Sequence, residues 1–94
     1  MHELRSLDVD DFLILCHLLD DTNLTRIGNK LCMCQPAISK RLKKITEVFG
    51  VAILAKSGRN LRLTNQGRRI CEESLALQKI LEGLRQPVTG IVSL

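Results

Sequence analysis

Asn23-Leu24-Thr25-Arg26-Ile27-Gly28-Asn29-Lys30-Leu31-Cys32-Met33-Cys34-Gln35-Pro36-Ala37-Ile38-Ser39-Lys40 is the stretch that decides the fold. Asn23 is a good helix N-cap, and Leu24, Ile27 and Leu31 follow on one side of a short helix. Gly28 inside that helix costs about 1 kcal/mol against alanine, which makes sense where another helix crosses closely. Pro36 lacks an N–H and fixes φ, so it belongs in a first helical turn and a new helix starts near Gln35. The core face of this helix runs Ile38, Leu42, Ile45 and Phe49, and Gly50 suits its C-terminal stop. Two helices joined by a short turn, the second longer and basic, form a helix-turn-helix pattern. On the second helix Gln35, Ser39, Lys40, Lys43 and Lys44 point away from the apolar stripe, onto the face left for a partner.

Working outward, Asp8 caps an upstream helix over about 9–20, with Asp10 and Asp11 in a first turn that suits carboxylates. Val9, Phe12, Cys16 and Leu19 recur at helical spacing, and Leu13, Ile14, Leu15 and Leu18 widen the stripe enough for two packing neighbours. Downstream the period changes. Ile53 and Leu54 lead to the turn-rich tip Lys56-Ser57-Gly58-Arg59-Asn60, and Leu61-Arg62-Leu63 then alternates in and out, as in a short hairpin or wing. Thr64 caps a long helix over about 65–85 carrying Ile70, Leu77, Ile80, Leu81 and Leu84. That is more apolar surface than one small domain covers, and pairing with a second copy is the economical explanation. Gln86-Pro87 ends the helix, and 88–94 reads as a strand without a partner. The expected fold class is mainly α: a winged helix-turn-helix with a three-helix core and a hairpin wing, followed by a long dimerisation or linker helix.

The 94 residues suit one domain. Leucine and isoleucine supply 25 of them, enough for a small aliphatic core, whereas Phe12 and Phe49 are the only aromatic side chains. Modules that stack bases on exposed rings are therefore excluded. His2 and His17 are the only histidines, and HxxxH, CxxC and GxSxG are all absent. Nothing converges as acid, base and nucleophile, so neither a catalytic residue nor a metal ligand is expected. Cys32-x-Cys34 lacks zinc spacing, and Cys16 and Cys71 sit on helices as small hydrophobes. Cys34, at a helix N-terminus, is the one thiol placed for oxidation, against the simpler reading of inert thiols throughout. The apolar run from Phe12 to Leu19 is too short to span a bilayer and no basic segment precedes it, so a cytoplasmic protein is expected.

The net charge of +4 hides a strong asymmetry. Residues 1–25 hold six acids against Arg5, whereas 26–69 hold eleven bases against the single acid Glu47. A surface kept for solubility would intersperse both signs. A concentrated basic block is the footprint of a phosphate binder.

Several stretches together resemble the N-terminal domain of LysR-type transcriptional regulators. They are Asn23-Leu24-Thr25-Arg26, Leu31 with Met33, Gln35-Pro36-Ala37-Ile38-Ser39-Lys40, Phe49-Gly50-Val51 with Leu54, and Arg59 with Leu61-Arg62-Leu63-Thr64 and Gly67. The departures are Ile27-Gly28 for the usual small pair, Cys34 for a serine, Ile45-Thr46 for Leu-Glu, and Leu54-Ala55-Lys56 for Phe-x-Arg. The resemblance implies a homodimer joined through the long helix, reading an interrupted palindrome in double-stranded DNA. It divides the chain into a DNA-binding domain at 1–64, a dimerisation helix at 65–86 and, at 87–94, the start of an absent effector-binding domain. No cofactor is expected here, and a small-molecule effector belongs to that absent domain.

The candidate DNA contacts follow. Gln35, Ser39 and Lys40 sit where helix-turn-helix proteins meet base edges, Gln suiting adenine and Lys guanine. Pro36 resembles the family residue making apolar contact in the groove. Thr25 and Arg26 match positions that hold phosphates, at a helix N-terminus. Arg59 at the wing tip suits the minor groove, and Lys43, Lys44 and Lys56 are general phosphate candidates. Ile70, Leu77, Ile80, Leu81 and Leu84 are the candidate dimer residues. The rival readings are a winged-helix protein-interaction module and a non-specific DNA-binding protein. The former would show an apolar patch where this sequence has Lys and Arg.

Overall fold

The computed structural model describes residues 3–86. A single 3-10 turn precedes α1 (Val9–Leu18), α2 (Leu24–Leu31), α3 (Gln35–Phe49), strands β1 (Leu54–Ser57) and β2 (Asn60–Leu63), and α4 (Asn65–Gly83). Among the described residues the two strands make one antiparallel ribbon, the wing, with Leu54 opposite Leu63 and Ser57 opposite Asn60. The expected winged helix-turn-helix is the observed architecture.

Local chemistry explains the helix ends. Asp8 caps α1 reciprocally: its carboxylate accepts the Asp11 N–H and the Asp11 carboxylate accepts the Asp8 N–H, both at 3.0 Å. Asn23 caps α2 by accepting the Arg26 N–H at 2.9 Å. Cys34 makes no side-chain bond at the start of α3, and Gly50 ends that helix at φ 71°. α1 stops at Leu18, short of the expected residue 20, because its last turn tightens: the Leu19 and Asp20 N–H groups bond three residues back, to the Cys16 and His17 carbonyls, at 3.3 and 3.1 Å.

Cys32 links α2 to α3 in the left-handed conformation, φ 57°, and the Met33 N–H closes the turn on the Gly28 carbonyl at 2.8 Å. A Cβ on Gly28 would run into the Met33 carbonyl, with Ile38 of α3 next at 3.6 Å. The glycine was expected to admit a crossing helix; its tightest neighbour is the backbone of the chain's own turn.

The core gathers Ile14, Leu15 and Leu18 from α1, Ile27 from α2, and Ile38, Leu42 and Ile45 from α3. Ile53 and Leu63 join it from the base of the wing and Cys71 from α4. α1 lies at the centre and touches α2, α3 and α4, one neighbour more than its apolar stripe suggested. Burial pushes the Cys71 thiol up to about 12 and raises Cys16 as well, so both pack as protonated, apolar groups.

The wing is fastened at its base. The Thr64 N–H donates to the Ile53 carbonyl at 3.0 Å, its hydroxyl donates to Ala52 at 2.5 Å, and the same oxygen accepts the Gly67 N–H at 2.9 Å. One threonine thus caps α4 and anchors the strand entry. Gly67 is buried against the Ile53 backbone, and a Cβ there would overlap it. Gly67, Cys71 and Ser74 are all buried, so the first half of α4 belongs to the domain core.

This close approach generates a stability prediction. Gly67→Ala cannot be relieved by a side-chain rotation, so it should cost about 1–3 kcal/mol as overpacking does. For a domain of this size, each kcal/mol lowers the melting temperature by about 4–8 °C. An unchanged melting curve by circular dichroism would show that the contact is looser than described.

Candidate nucleic-acid interface

The Cys32 turn joins the end of α2 to the start of α3 and leaves Gln35 on the same concavity as Thr25 and Arg26. A second constraint comes from 39 residues away: the Thr22 hydroxyl donates to the Leu61 carbonyl at 2.7 Å, tying the wing to the turn before α2. The result is a groove of about 560 Å³ whose lining includes Thr25, Arg26, Gln35, Arg59 and Asn60. Three segments remote in sequence thus share one concavity.

Four nominated residues meet there. Thr25, Arg26, Gln35 and Arg59 are all exposed. Gln35 Nε2 donates to Ser39 Oγ at 2.9 Å, one turn further along α3, so the amide is held on that face. Pro36, Lys40 and Lys43 are exposed along α3 outside the groove, and Lys56 is exposed on β1. Arg59 is raised by the hairpin itself: Gly58, at φ 62°, is the first of a two-residue loop and Arg59 the second, a sequence suited to a II′ turn.

Arg26 arrives already oriented. Its Nε and Nη2 donate to the two carboxylate oxygens of Asp21 at 2.5 and 3.0 Å, and Asp21 also accepts the Asn23 N–H at 3.0 Å. The Arg26 guanidinium, helped by the Asn23 N–H, lowers the Asp21 carboxyl to about 2. Two of the five guanidinium donors are spent on this pair.

Lys44 corrects an expectation. Rather than facing outward with Lys43, its ammonium lies 2.7 Å from the fully buried Asp11 carboxylate and donates to the Ser6 carbonyl at 2.9 Å. Arg41, which the sequence reading did not nominate, donates to both Asp8 oxygens at 2.8 and 2.9 Å and to Asp11 at 3.1 Å. Its guanidinium holds Asp8 below the usual carboxylate range. The acidic and basic blocks therefore meet inside the fold, and part of the basic block is neutralised there. Asp8 and Asp11, three residues apart on one helix, facing Arg41 and Lys44, three apart on another, were the signal in the sequence.

Of the candidate dimer residues, Leu77, Ile80, Leu81 and Leu84 are exposed, between 42 and 70 %. Leu77 and Leu81 line an apolar groove with Leu7, Val9, Phe12 and Leu13 from the N-terminal part. Ile70 stands apart, half-buried against the domain's own core. The strand expected over 88–94 lies outside the described residues.

With this geometry in place, comparison with known proteins is decisive. Residues 9–68 match the bacterial regulatory helix-turn-helix protein, lysR family. The chain belongs to that family. The LysR-type chain is 25 % identical over 90 % of its length to the uncharacterised HTH-type transcriptional regulator YraN of Bacillus subtilis, covering 29 % of that protein. It is 21 % identical over 97 % of its length to the HTH-type transcriptional activator CmpR of Synechocystis, covering 30 %. It thus spans less than a third of these two relatives. Its fold superposes on the BenM DNA-binding domain crystallised with catB site 1 DNA, at a TM-score of 0.75, 18 % identity and coverage of 83 and 87 % of the two chains. It is a regulatory helix-turn-helix domain of the lysR family, and it takes the fold of the BenM DNA-binding domain. Among the described residues, no helix is long and apolar enough to cross a membrane.

The Asp21–Arg26 pair makes a pH prediction. An ordinary aspartate titrates near pH 3.9, and Asp21 in the fold titrates at about 2. The pair's contribution is complete above the ordinary value and is lost as pH falls through the folded one. Melting temperatures of the parent and Asp21→Asn should converge as pH drops from about 4 to about 2. A gap that stays constant over this range would mean that the pair does not tune the carboxylate.

Proposed function

We propose that this domain binds double-stranded DNA sequence-specifically, with α3 in the major groove and the wing tip at Arg59 in the minor groove. The observation that carries this reading is the groove shared by Thr25, Arg26, Gln35 and Arg59. Base-reading, phosphate-holding and wing candidates all reach solvent on one side of the molecule, clear of the core. Gln35 lies in the first turn of α3, where recognition helices meet base edges. It can bridge adenine N6 and N7, while Thr25 and Arg26 hold phosphate beside the N-terminus of α2. Pro36 offers apolar contact and Lys40 a second base-edge donor. Lys43 and Lys56 supply backbone charge.

The domain acts as a homodimer in this reading, joined through the exposed Leu77, Ile80, Leu81 and Leu84 of α4. Two copies would present two recognition helices to half-sites about one helical turn apart or a multiple of it. A larger protein with a small-molecule effector domain is the natural setting for such a module, since the relatives matched are more than three times as long.

Two experiments test these points. Selection of bound duplexes from fragmented genomic DNA supplies a cognate site, and recovery of random sequence would reduce the domain to a non-specific binder. On that site Gln35→Ala should cost about 1–3 kcal/mol while barely changing affinity for random DNA. Lys43→Ala should weaken both alike and make the salt slope shallower by about one unit. Equal losses on both DNAs for Gln35→Ala would place the reading face elsewhere. For assembly, Leu77→Asp with Leu81→Asp should give monomers by light scattering and abolish binding to the two-half-site duplex. A parent protein that is already monomeric at working concentration would rule out the dimer.

A further inference from the structure

Asp11 is completely buried in the first turn of α1, yet three groups satisfy its charge. Lys44 Nζ stands 2.7 Å from one oxygen, Arg41 Nη1 3.1 Å from the other, and the Asp8 N–H donates at 3.0 Å. Arg41 is further bound by both Asp8 oxygens and lies 3.8 Å from Asp10. Packing alone does not call for these charges, because an apolar pair of similar volume fills such a site without the desolvation cost. The arrangement has a different consequence. Lys40, Arg41, Lys43 and Lys44 line one depression on the flank of α3, together with the acids Asp8 and Glu47. Lys44 lies a helical turn beyond Lys40 and borders the same depression as Lys43, so a released Lys44 ammonium would reach a phosphate next to the one that Lys43 holds. Instead two of the four cations are turned toward α1 and two face solvent.

We propose that Asp8 and Asp11 are positioning residues for DNA binding: by holding Arg41 and Lys44 against α1, they leave Lys43 as the phosphate contact on this flank of α3. This rests on the reading of α3 as the DNA-facing helix. Phosphate contact is the sequence-independent part of affinity. These internal counterions therefore keep the domain from clinging to arbitrary DNA, which outnumbers cognate sites enormously in a genome.

The test measures affinity for a labelled random-sequence duplex over a range of salt concentrations, with circular dichroism confirming the fold of each variant. Asp11→Asn should bind more tightly and steepen the slope of log K against log salt by about 0.9, the value of one added phosphate contact. Adding Lys44→Met to that variant should return the slope to the parent's, and Asp8→Asn, at a half-exposed position, should steepen it through Arg41. Lys44→Met alone, which leaves Asp11 paired with Arg41, should keep the parent's slope. A folded Asp11→Asn or Asp8→Asn whose slope is unchanged or shallower overturns the proposal. A shallower slope for Lys44→Met overturns it too, even if the Asp11 variant fails to fold, because Lys44 would then already sit on a phosphate. A parent that binds no duplex defeats both this inference and the function it rests on. A parent that binds without sequence preference defeats only the sequence-specific reading, and the slopes still decide this one.

Discussion

The close approach of the Met33 carbonyl to Gly28 is the constraint on which the rest of the domain depends. A side chain at position 28 would push the turn outward, and α3 would leave α2 at a different angle. With glycine there, the turn closes in one hydrogen bond, Cys32 takes a conformation that costs a non-glycine residue about 1 kcal/mol or more, and Ile27 and Ile38 both disappear into the core. Gln35, Lys40 and Lys43 of α3 are consequently left outside. The position of Gln35 beside Thr25 and Arg26 is a by-product of how an aliphatic seam closes around one missing methyl group.

Charge is organised at a second level. A count of bases along the chain overstates what the surface offers, because the N-terminal acids fold back onto the middle of the sequence. Asp21 orders Arg26 at the edge of the groove and leaves it exposed, whereas Asp8 and Asp11 take Arg41 and Lys44 away from solvent. The same type of pair thus orients one cation and withdraws two others. Burial makes the difference: the Asp21 pair stays in water, where its strength is modest, and the Asp11 carboxylate has no water to compete for its partners.

Much of the fold was legible in the sequence because its punctuation is local. Asp8, Asn23, Pro36, Gly50, Gly58 and Thr64 each act within a few residues, and each marks the boundary where it was read. The helix-turn-helix, the wing and the long fourth helix follow from them. The exposed candidates of α3, Gln35, Lys40 and Lys43, follow too, since helical periodicity separates them from Ile38, Leu42 and Ile45, while Thr25 and Arg26 follow from the cap at Asn23 and Arg59 from the turn at Gly58. What escaped is non-local. Periodicity gave Lys43 and Lys44 the same outward reading, but only the packing of α1 on α3 tells them apart. Ile70 shares the apolar spacing of Leu77 and Leu81, yet it falls inside the reach of the core. The Thr22–Leu61 bond joins residues with no pattern in common, so no spacing rule announces it.

That last bond bears on how the wing is held. A two-stranded ribbon is marginal by itself, and this one meets the core at its base, through Leu63, Leu54 and the preceding Ile53, while Ser57, Gly58, Arg59 and Asn60 stand clear. The tip is thus the part of the wing with the least burial to hold it in place. Because the Thr22 hydroxyl grips β2 partway along, at Leu61, the part of the ribbon left beyond that tie is its tip, residues 57–60. Arg59 therefore stands on a short tip above a tethered stem, held at a fixed reach from the three-helix body.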